Sequence, residues 1–196
     1  MITADVVKEL RQRSGAGMME CKRALQEADG DLERALDVLR TKGAAGVAKR
    51  AGRAASEGLV ESYVHLGGKI GVLIEVNCET DFVAKTDEFR NLARQLAMQV
   101  AATDPVAVDR EGVPAAVVER ERGIYADQAR QTGKPDAIVE KIAAGKLEKF
   151  YGEAVLLEQP FIRDTERRVR DVVADVAAKL GENVVVRRFV RFAIGG

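Results

Sequence analysis

The first 43 residues carry hydrophobic positions three or four residues apart, the spacing of amphipathic helices. Thr3 can cap a first helix, residues 14–17 interrupt it, and Asp31 can cap a third helix that ends at Gly43 as its C′ residue. The inward positions are Val6, Val7, Leu10, Met18, Cys21, Leu25, Ala28, Leu32, Ala35, Leu36 and Leu39. This pattern predicts a compact three-helix module. Modules of about 40 residues more often bind a partner than perform chemistry.

Residues 40–53 form a basic segment without acidic residues, which begins at the end of the third predicted helix. Its charged residues are Arg40, Lys42, Lys49, Arg50 and Arg53. They stand among glycine and alanine, a composition typical of a solvated, mobile connector. We therefore expect a domain boundary near residue 54, with the three-helix module and basic linker at 1–54 and a core domain at 55–196. The alternative is a longer third helix that continues into the core.

Beyond the boundary the hydrophobic period changes to two, which is typical of strands. Residues 58–66 and 70–77 form two β-rich runs around Gly67-Gly68-Lys69, a sequence that favours a hairpin. A three-residue loop is the better register, because a two-residue loop would mix the two faces of the hairpin. The three-residue loop gives one apolar face, formed by Val60, Val64, Leu66, Ile70, Val72, Ile74 and Val76.

Later segments supply helices that can cover this face of the hairpin. They begin at Thr86, Pro114 and Pro135 or run through residues 169–176. Their inward residues are Phe89, Leu92, Leu96, Val100, Ile138, Ile142, Phe150, Val169, Val172, Val173 and Val176. A last strand at 184–194 alternates unevenly because Arg188 interrupts its apolar side. We predict an α+β fold, in which an antiparallel sheet with helices packed on one face follows the three-helix module.

Composition excludes several classes of protein. The 31 basic residues equal the 31 acidic ones, so the chain lacks the bulk charge of proteins that bind nucleic acids or anionic membranes non-specifically. No apolar run reaches the roughly 18–20 residues that span a bilayer, and the N-terminus does not resemble a signal peptide. Two cysteines and one histidine cannot supply a structural zinc site. We expect a cytoplasmic protein without a metal site.

Candidate catalytic groups fail on pattern or on distance. Residues 15–20 lack the third glycine of a dinucleotide motif, and Gly133-Lys134 lacks the leading glycine and the following Ser or Thr of a phosphate loop. Cys78 and His65 would form the best nucleophile pair, but the predicted hairpin separates them by about 23 Å at 3.3 Å per residue. The carboxylates are scattered at helical-surface spacing. We therefore expect an interaction protein, not an enzyme.

The segment at 78–85, between the second predicted strand and the helix capped by Thr86, does not read as a simple connection. Phe82 and Val83 interrupt polar residues where a surface loop is expected. One interpretation is that Phe82 folds back onto the protein's own core. The other is that an aromatic anchor beside the Asp81 carboxylate, mounted on a rigid strand-to-helix junction, enters a pocket of a partner.

Several segments resemble the elongation factor Ts family. The sequence SGAGMMECKRAL at 14–25 is similar to the N-terminal module of that family, and EVNCETDFVAK at 75–85 is similar to its core signature. Shorter matches at 133–135, 152–153 and 159–161 extend the resemblance over nearly the whole chain. The resemblance implies a ubiquitin-associated-like fold for the three-helix module.

That family binds elongation factor Tu, a translational GTPase, in its GDP-bound and nucleotide-free forms, and promotes the release of GDP so that GTP can bind. The resemblance therefore implies an exchange factor that breaks no covalent bond and needs no cofactor. Thr80, Asp81, Phe82 and Val83 match the segment implicated in dislodging Mg²⁺ from the GTPase, with Phe82 as the inserting wedge and Asp81 beside it. Lys22 matches a position that contacts the partner's nucleotide domain, although it could equally be an ordinary solvated lysine.

One departure from the family's pattern suggests a homodimer. Longer members of the family carry two related halves in the core, whereas this chain has room for one hairpin and one final strand. Two identical subunits related by a two-fold axis would supply the two halves. Residues 55–196 would then be the dimerisation domain as well as the core.

Two other classes of function stay open. An adaptor of the ubiquitin-associated type would tether partners without accelerating nucleotide release. A nucleic-acid-binding protein that uses Lys49, Arg50 and Arg53 would bind less tightly as salt rises. Neutral net charge and the absence of aromatic residues in that segment disfavour direct binding of nucleic acid.

Overall fold

The computed structural model describes residues 2–195, and in that range it has a mixed α+β architecture. The helices are α1 (Ala4–Ser14), α2 (Met18–Glu27), α3 (Leu32–Arg50), α4 (Asp81–Ala84), α5 (Asp87–Thr103), α6 (Ala115–Arg130), α7 (Asp136–Ala154) and α8 (Val169–Leu180). The strands are β1 (Glu57–Val64), β2 (Ile70–Cys78), β3 (Pro160–Phe161), β4 (Asp164–Arg168) and β5 (Val185–Ala193). The predicted fold class is confirmed.

The N-terminal module consists of the three predicted helices. Thr3 accepts a hydrogen bond from the Val6 amide at 3.4 Å, and Asp31 accepts one from the Arg34 amide at 3.0 Å, so both predicted N-caps are present. The buried residues of the module are Val7, Leu10, Cys21, Ala24, Leu25, Ala28 and Ala35. Met18 lies outside this small core and is exposed, contrary to its predicted inward position.

Helix α3 does not end at Gly43 but continues to Arg50. Gly43 lies where α3 meets α8, and a Cβ atom added to it would stand 3.5 Å from the Cβ of Ala178. The small residue therefore permits a close approach of two helices and does not terminate one. Val47, one turn later, packs against the main core. The longer third helix is the correct alternative, and a mobile connector beginning at residue 40 was the wrong expectation.

A three-stranded antiparallel sheet in the order β1-β2-β5 forms the centre of the remaining chain. Its hairpin register differs by one residue from the prediction, because Val72 pairs with Tyr63 and Val76 pairs with Leu59. This is the register of a two-residue loop, and it turns Val60 and Val64 outward. Strand β1 carries apolar residues on both of its faces, so the hydrophobic pattern alone could not select the register.

Helix α5 covers the inner face of this sheet, and the main core lies between them. Thr86 caps α5 as predicted, accepting a hydrogen bond from the Phe89 amide at 3.3 Å. The largest fully buried residues of this core include Ile74, Val76, Phe89, Leu92, Leu96, Val100 and Leu156. Helix α8 adds Val169, Val172 and Val173 to the same core.

Helices α6 and α7 pack mainly on each other, so they form a helical hairpin instead of covering the sheet as predicted. Both follow a proline at the predicted positions, Pro114 and Pro135. Their shared core is small and consists of Ala126, Ala129, Val139 and Ala143. Ile138 is exposed, because the next residue, Val139, and Ala143 one turn later face α6 in its place.

No helix of the described residues covers the outer face of the three-stranded sheet, which is exposed. It is formed by Val60, Val64, Leu73, Val190, Phe192 and Ile194, and we refer to these residues as the outer sheet face. Within residues 2–195, no helix combines the length and the apolar character that a membrane crossing requires.

Candidate partner-binding site

The segment from Thr80 to Val83 lies at the junction between β2 and α5, and its last three residues belong to the single turn α4. Thr80 is the N-cap of this turn, and its hydroxyl oxygen accepts a hydrogen bond from the Val83 amide at 3.4 Å. Buried residues fix the segment on both sides, with Cys78 before it and Ala84 after it. The turn is therefore mounted on the main core and not on a free loop.

Phe82 points away from the protein, since 80% of its surface is exposed. The interpretation in which Phe82 folds back onto its own core is therefore wrong. Val83, the next residue, takes the inward position and packs against the main core. Two consecutive residues of one helical turn thus point in different directions, Val83 to the core and Phe82 to solvent. An exposed phenylalanine on a fixed turn is a feature of surfaces that insert an aromatic side chain into a partner.

Asp81 stands beside Phe82 at the start of α4, and its carboxylate accepts a hydrogen bond from Lys85 Nζ at 2.6 Å. Both side chains of this pair are about half exposed or more. Exposed pairs spaced by four residues on a helix contribute only about 0.3–0.5 kcal/mol. Asp81 can therefore exchange Lys85 for a group of a partner at little cost.

Glu182, in the turn between α8 and β5, touches this segment although sequence reasoning did not select it. Its Oε2 accepts hydrogen bonds from the amides of Glu79 and Thr80, each at 3.0 Å, and its Oε1 accepts one from the Thr80 hydroxyl at 2.6 Å. The contacts join residues more than 100 positions apart. No local pattern in the sequence could have indicated them.

The thiol of Cys78 supports the segment but is not reactive. It donates a hydrogen bond to the backbone oxygen of Thr80 at 3.2 Å. Burial, together with the charge of Glu182, raises the pKa of Cys78 to about 11, so the thiol stays protonated at neutral pH. His65 lies at the other end of the hairpin, where its Nδ1 is 3.0 Å from the Tyr63 hydroxyl. The two residues do not form a nucleophile pair.

Lys22 is exposed on α2, which packs on the other two helices of the N-terminal module. It is not on the same element as Thr80, Asp81, Phe82 and Val83, which the structure brings together on α4. Its exposure is compatible with a partner contact and with an ordinary solvated lysine.

The chemistry available at α4 is that of binding. The turn presents an aromatic ring, a weakly paired carboxylate and a lysine, without an ionised nucleophile. In the part of the chain from residue 2 to residue 195, no three His, Cys, Asp or Glu side chains group together in a way that could hold a metal ion.

Comparisons with known proteins agree on one family. A family model described as elongation factor TS matches residues 46–196. Elongation factor Ts of Moorella thermoacetica is 62% identical over 195 residues, covering 100% of this chain and 96% of that protein. Elongation factor Ts of Thermoanaerobacter sp. (strain X514) is 59% identical with the same coverage, and that of Carboxydothermus hydrogenoformans is 59% identical over 100% of this chain and 90% of its own. The similarity thus includes the N-terminal module.

Proposed function

The chain belongs to the elongation factor Ts family and is a translation elongation factor of protein biosynthesis, and we propose that it is the nucleotide exchange factor of elongation factor Tu. It binds elongation factor Tu in its GDP-bound form, promotes the release of GDP and leaves a nucleotide-free complex that GTP can enter. The observation that carries this proposal is Phe82, which is exposed on a turn fixed to the core. The chain acts in the cytoplasm, without a cofactor or direct contact with nucleic acid.

The segment Thr80, Asp81, Phe82 and Val83 acts on the Mg²⁺ of the partner. In a GTPase, Mg²⁺ bridges the nucleotide phosphates and protein oxygens, so moving the groups that hold it removes a large part of the nucleotide's binding energy. Phe82 enters the partner and displaces these groups, while Asp81 exchanges Lys85 for a polar group beside them. Lys22 contacts the nucleotide-binding domain of the partner from the N-terminal module. No covalent bond is made or broken, so the chain is not an enzyme in that sense.

Binding measurements distinguish an exchange factor from an adaptor. If the chain weakens the binding of GDP to elongation factor Tu, GDP must weaken the binding of the chain by the same factor. We expect saturating GDP to raise the Kd of the complex, measured by isothermal titration calorimetry, by about 5- to 150-fold, the usual range of such coupling. An adaptor that only tethers would bind with one Kd in the presence and absence of GDP, and that result would reject the proposed function.

The same chain forms a homodimer through the outer sheet face. That face carries exposed apolar residues on all three strands. Its charged residues Glu75 and Arg188 form an ion pair across neighbouring strands, with 2.7 Å between Arg188 Nε and Glu75 Oε2. The hydrogen bond from Arg188 also lowers the pKa of Glu75, so the pair stays ionised near neutral pH. The outer sheet face of a second copy can bury these apolar residues, because a two-fold axis brings the same patch of both subunits into contact.

Replacement of Phe192 on the outer sheet face tests the dimer. Phe192→Asp places a charge on the proposed interface while it alters an exposed side chain, so we expect a folded monomer. Light scattering after size-exclusion chromatography measures the mass, with Val106→Asp as the control because Val106 is an exposed apolar residue outside the sheet. A wild-type chain of monomer mass, or a Phe192→Asp chain that still dimerises, would reject this interface.

A further inference from the structure

The turn α4 is too short to hold itself in place. It has four residues, and an isolated helix of one turn is unfavourable because nucleation fixes several residues for a single backbone hydrogen bond. Its orientation must therefore come from contacts with the rest of the protein. Val83 and Ala84 supply apolar contacts with the main core. The polar contacts come from the turn between α8 and β5, through Glu182.

Glu182 uses both of its carboxylate oxygens on the two residues that precede α4. Oε2 binds the Glu79 and Thr80 amides, which fixes the direction of the backbone as it leaves β2. Oε1 accepts a hydrogen bond from the Thr80 hydroxyl. Because the hydroxyl proton is committed to Glu182, a lone pair of the hydroxyl oxygen points to the Val83 amide and completes the cap of α4. Hydrogen bonds to a carboxylate are about twice as strong as those between neutral groups.

The contact is reciprocal, which makes it a clamp between two turns. Glu79 Oε1 accepts a hydrogen bond from the amide of Asn183 at 2.7 Å. The side-chain amide of Asn183, which is buried, donates to the backbone oxygen of Arg53 at 2.8 Å. The chain that leaves the N-terminal module, the turn before β5 and the turn that carries Phe82 therefore meet in one hydrogen-bonded cluster.

We propose that Glu182 is a positioning residue for nucleotide exchange, which holds Thr80 and α4 so that Phe82 projects in the direction that entry into the partner requires. This inference rests on the proposed function. Glu182 acts through Thr80 and need not touch the partner itself. A displacement of about 1 Å in a positioned group can cost about 100-fold in rate, so the loss of one clamp is expected to be measurable.

The test measures two quantities for each variant. One is the rate of GDP release from elongation factor Tu at a saturating concentration of the chain, and the other is the chain concentration that gives half of that rate. We expect Glu182→Ala to lower the saturating rate about tenfold and to change the half-saturating concentration less than about threefold, because other surfaces still bind. Glu182→Gln should stay within about threefold of wild type, since its carbonyl oxygen can still accept the two amides. Glu119→Ala, which alters an exposed carboxylate on α6, is the matched control.

Two further measurements separate positioning from general stability. Hydrogen exchange followed by mass spectrometry should show faster exchange at residues 79–85 in Glu182→Ala, with unchanged exchange in α5 and β2. Combining Glu182→Ala with Thr80→Val should lower the saturating rate by less than the product of the two single effects, because both remove the hydrogen bond between the Thr80 hydroxyl and Glu182 Oε1.

Three results would overturn the positioning role. These are a saturating rate of Glu182→Ala equal to wild type, faster hydrogen exchange throughout the core, and additive effects of the two substitutions. Failure of the proposed function itself looks different, because wild type would then not accelerate GDP release at all.

Discussion

Phe82→Ala is expected to slow stimulated GDP release by at least about 30-fold while the protein melts at an unchanged temperature. An aromatic residue that anchors an interface contributes about 2 kcal/mol or more, and 1.4 kcal/mol corresponds to a factor of ten. The side chain is 80% exposed, so its removal leaves no cavity in the protein. Substitutions at such positions alter the free energy of unfolding by about 0.5 kcal/mol or less. Stopped-flow fluorescence of labelled GDP measures the rate, and circular dichroism measures Tm.

Two control variants separate an effect on exchange from an effect on stability. Ile124→Ala removes an exposed apolar side chain on α6 and is expected to leave both the rate and Tm unchanged. Val83→Ala alters the neighbouring residue that packs on the core, so we expect a lower Tm. If Phe82→Ala lowered Tm strongly and left GDP release unchanged, Phe82 would be a packing residue and the proposed site would be wrong.

Gly58→Ala is expected to destabilise the protein by about 3 kcal/mol, which corresponds to a fall in Tm of about 6–12 °C for a chain of this size. Gly58 has a φ of 144°, a region that other residues rarely adopt. An added Cβ would lie 2.2 Å from the backbone oxygen of Val76 and 2.7 Å from the Cα of Asn77. These backbone atoms belong to the neighbouring strand, so the pairing of β1 with β2 must open.

Gly71→Ala is the matched control for that substitution. Gly71 lies in the same hairpin, and an added Cβ there would meet no atom within 4 Å. We expect its Tm to equal that of wild type or to exceed it slightly, since alanine lowers the entropy of the unfolded chain. Both variants are compared at one protein concentration, because association raises the apparent stability. Equal melting temperatures for Gly58→Ala and Gly71→Ala would contradict the close approach of β1 and β2 at Gly58.

Local sequence signals located the helices well because caps act over three residues. Thr3, Asp31 and Thr86 were predicted as N-caps from residue type alone, and each accepts a hydrogen bond from the amide three residues later. Glycine was less informative. Gly43 was interpreted as a helix end, yet it lies within α3 at a contact with α8, and only the packing of two distant helices distinguishes these roles.

The hairpin register and the contacts of Glu182 could not be predicted from the local sequence. Strand β1 places Leu59 and Tyr63 inward and Val60 and Val64 outward, so either face could have been the buried one. The outer face keeps its apolar residues, in agreement with the proposed dimer. The segment 80–83 stood out because an aromatic residue interrupted a polar run, whereas Glu182 is one of many acidic residues and depends on a contact that only the fold creates. The division into domains at residue 54 stays a prediction.

Release of fluorescent GDP from elongation factor Tu tests the proposed exchange activity most directly. The GTPase is loaded with labelled GDP, chased with excess unlabelled GDP and mixed with the full chain at a tenth of its concentration. We expect all of the labelled GDP to leave faster than it does spontaneously, because each chain acts on many partners in turn. Release at the spontaneous rate, with binding of the two proteins shown separately, would contradict it and identify the chain as an adaptor.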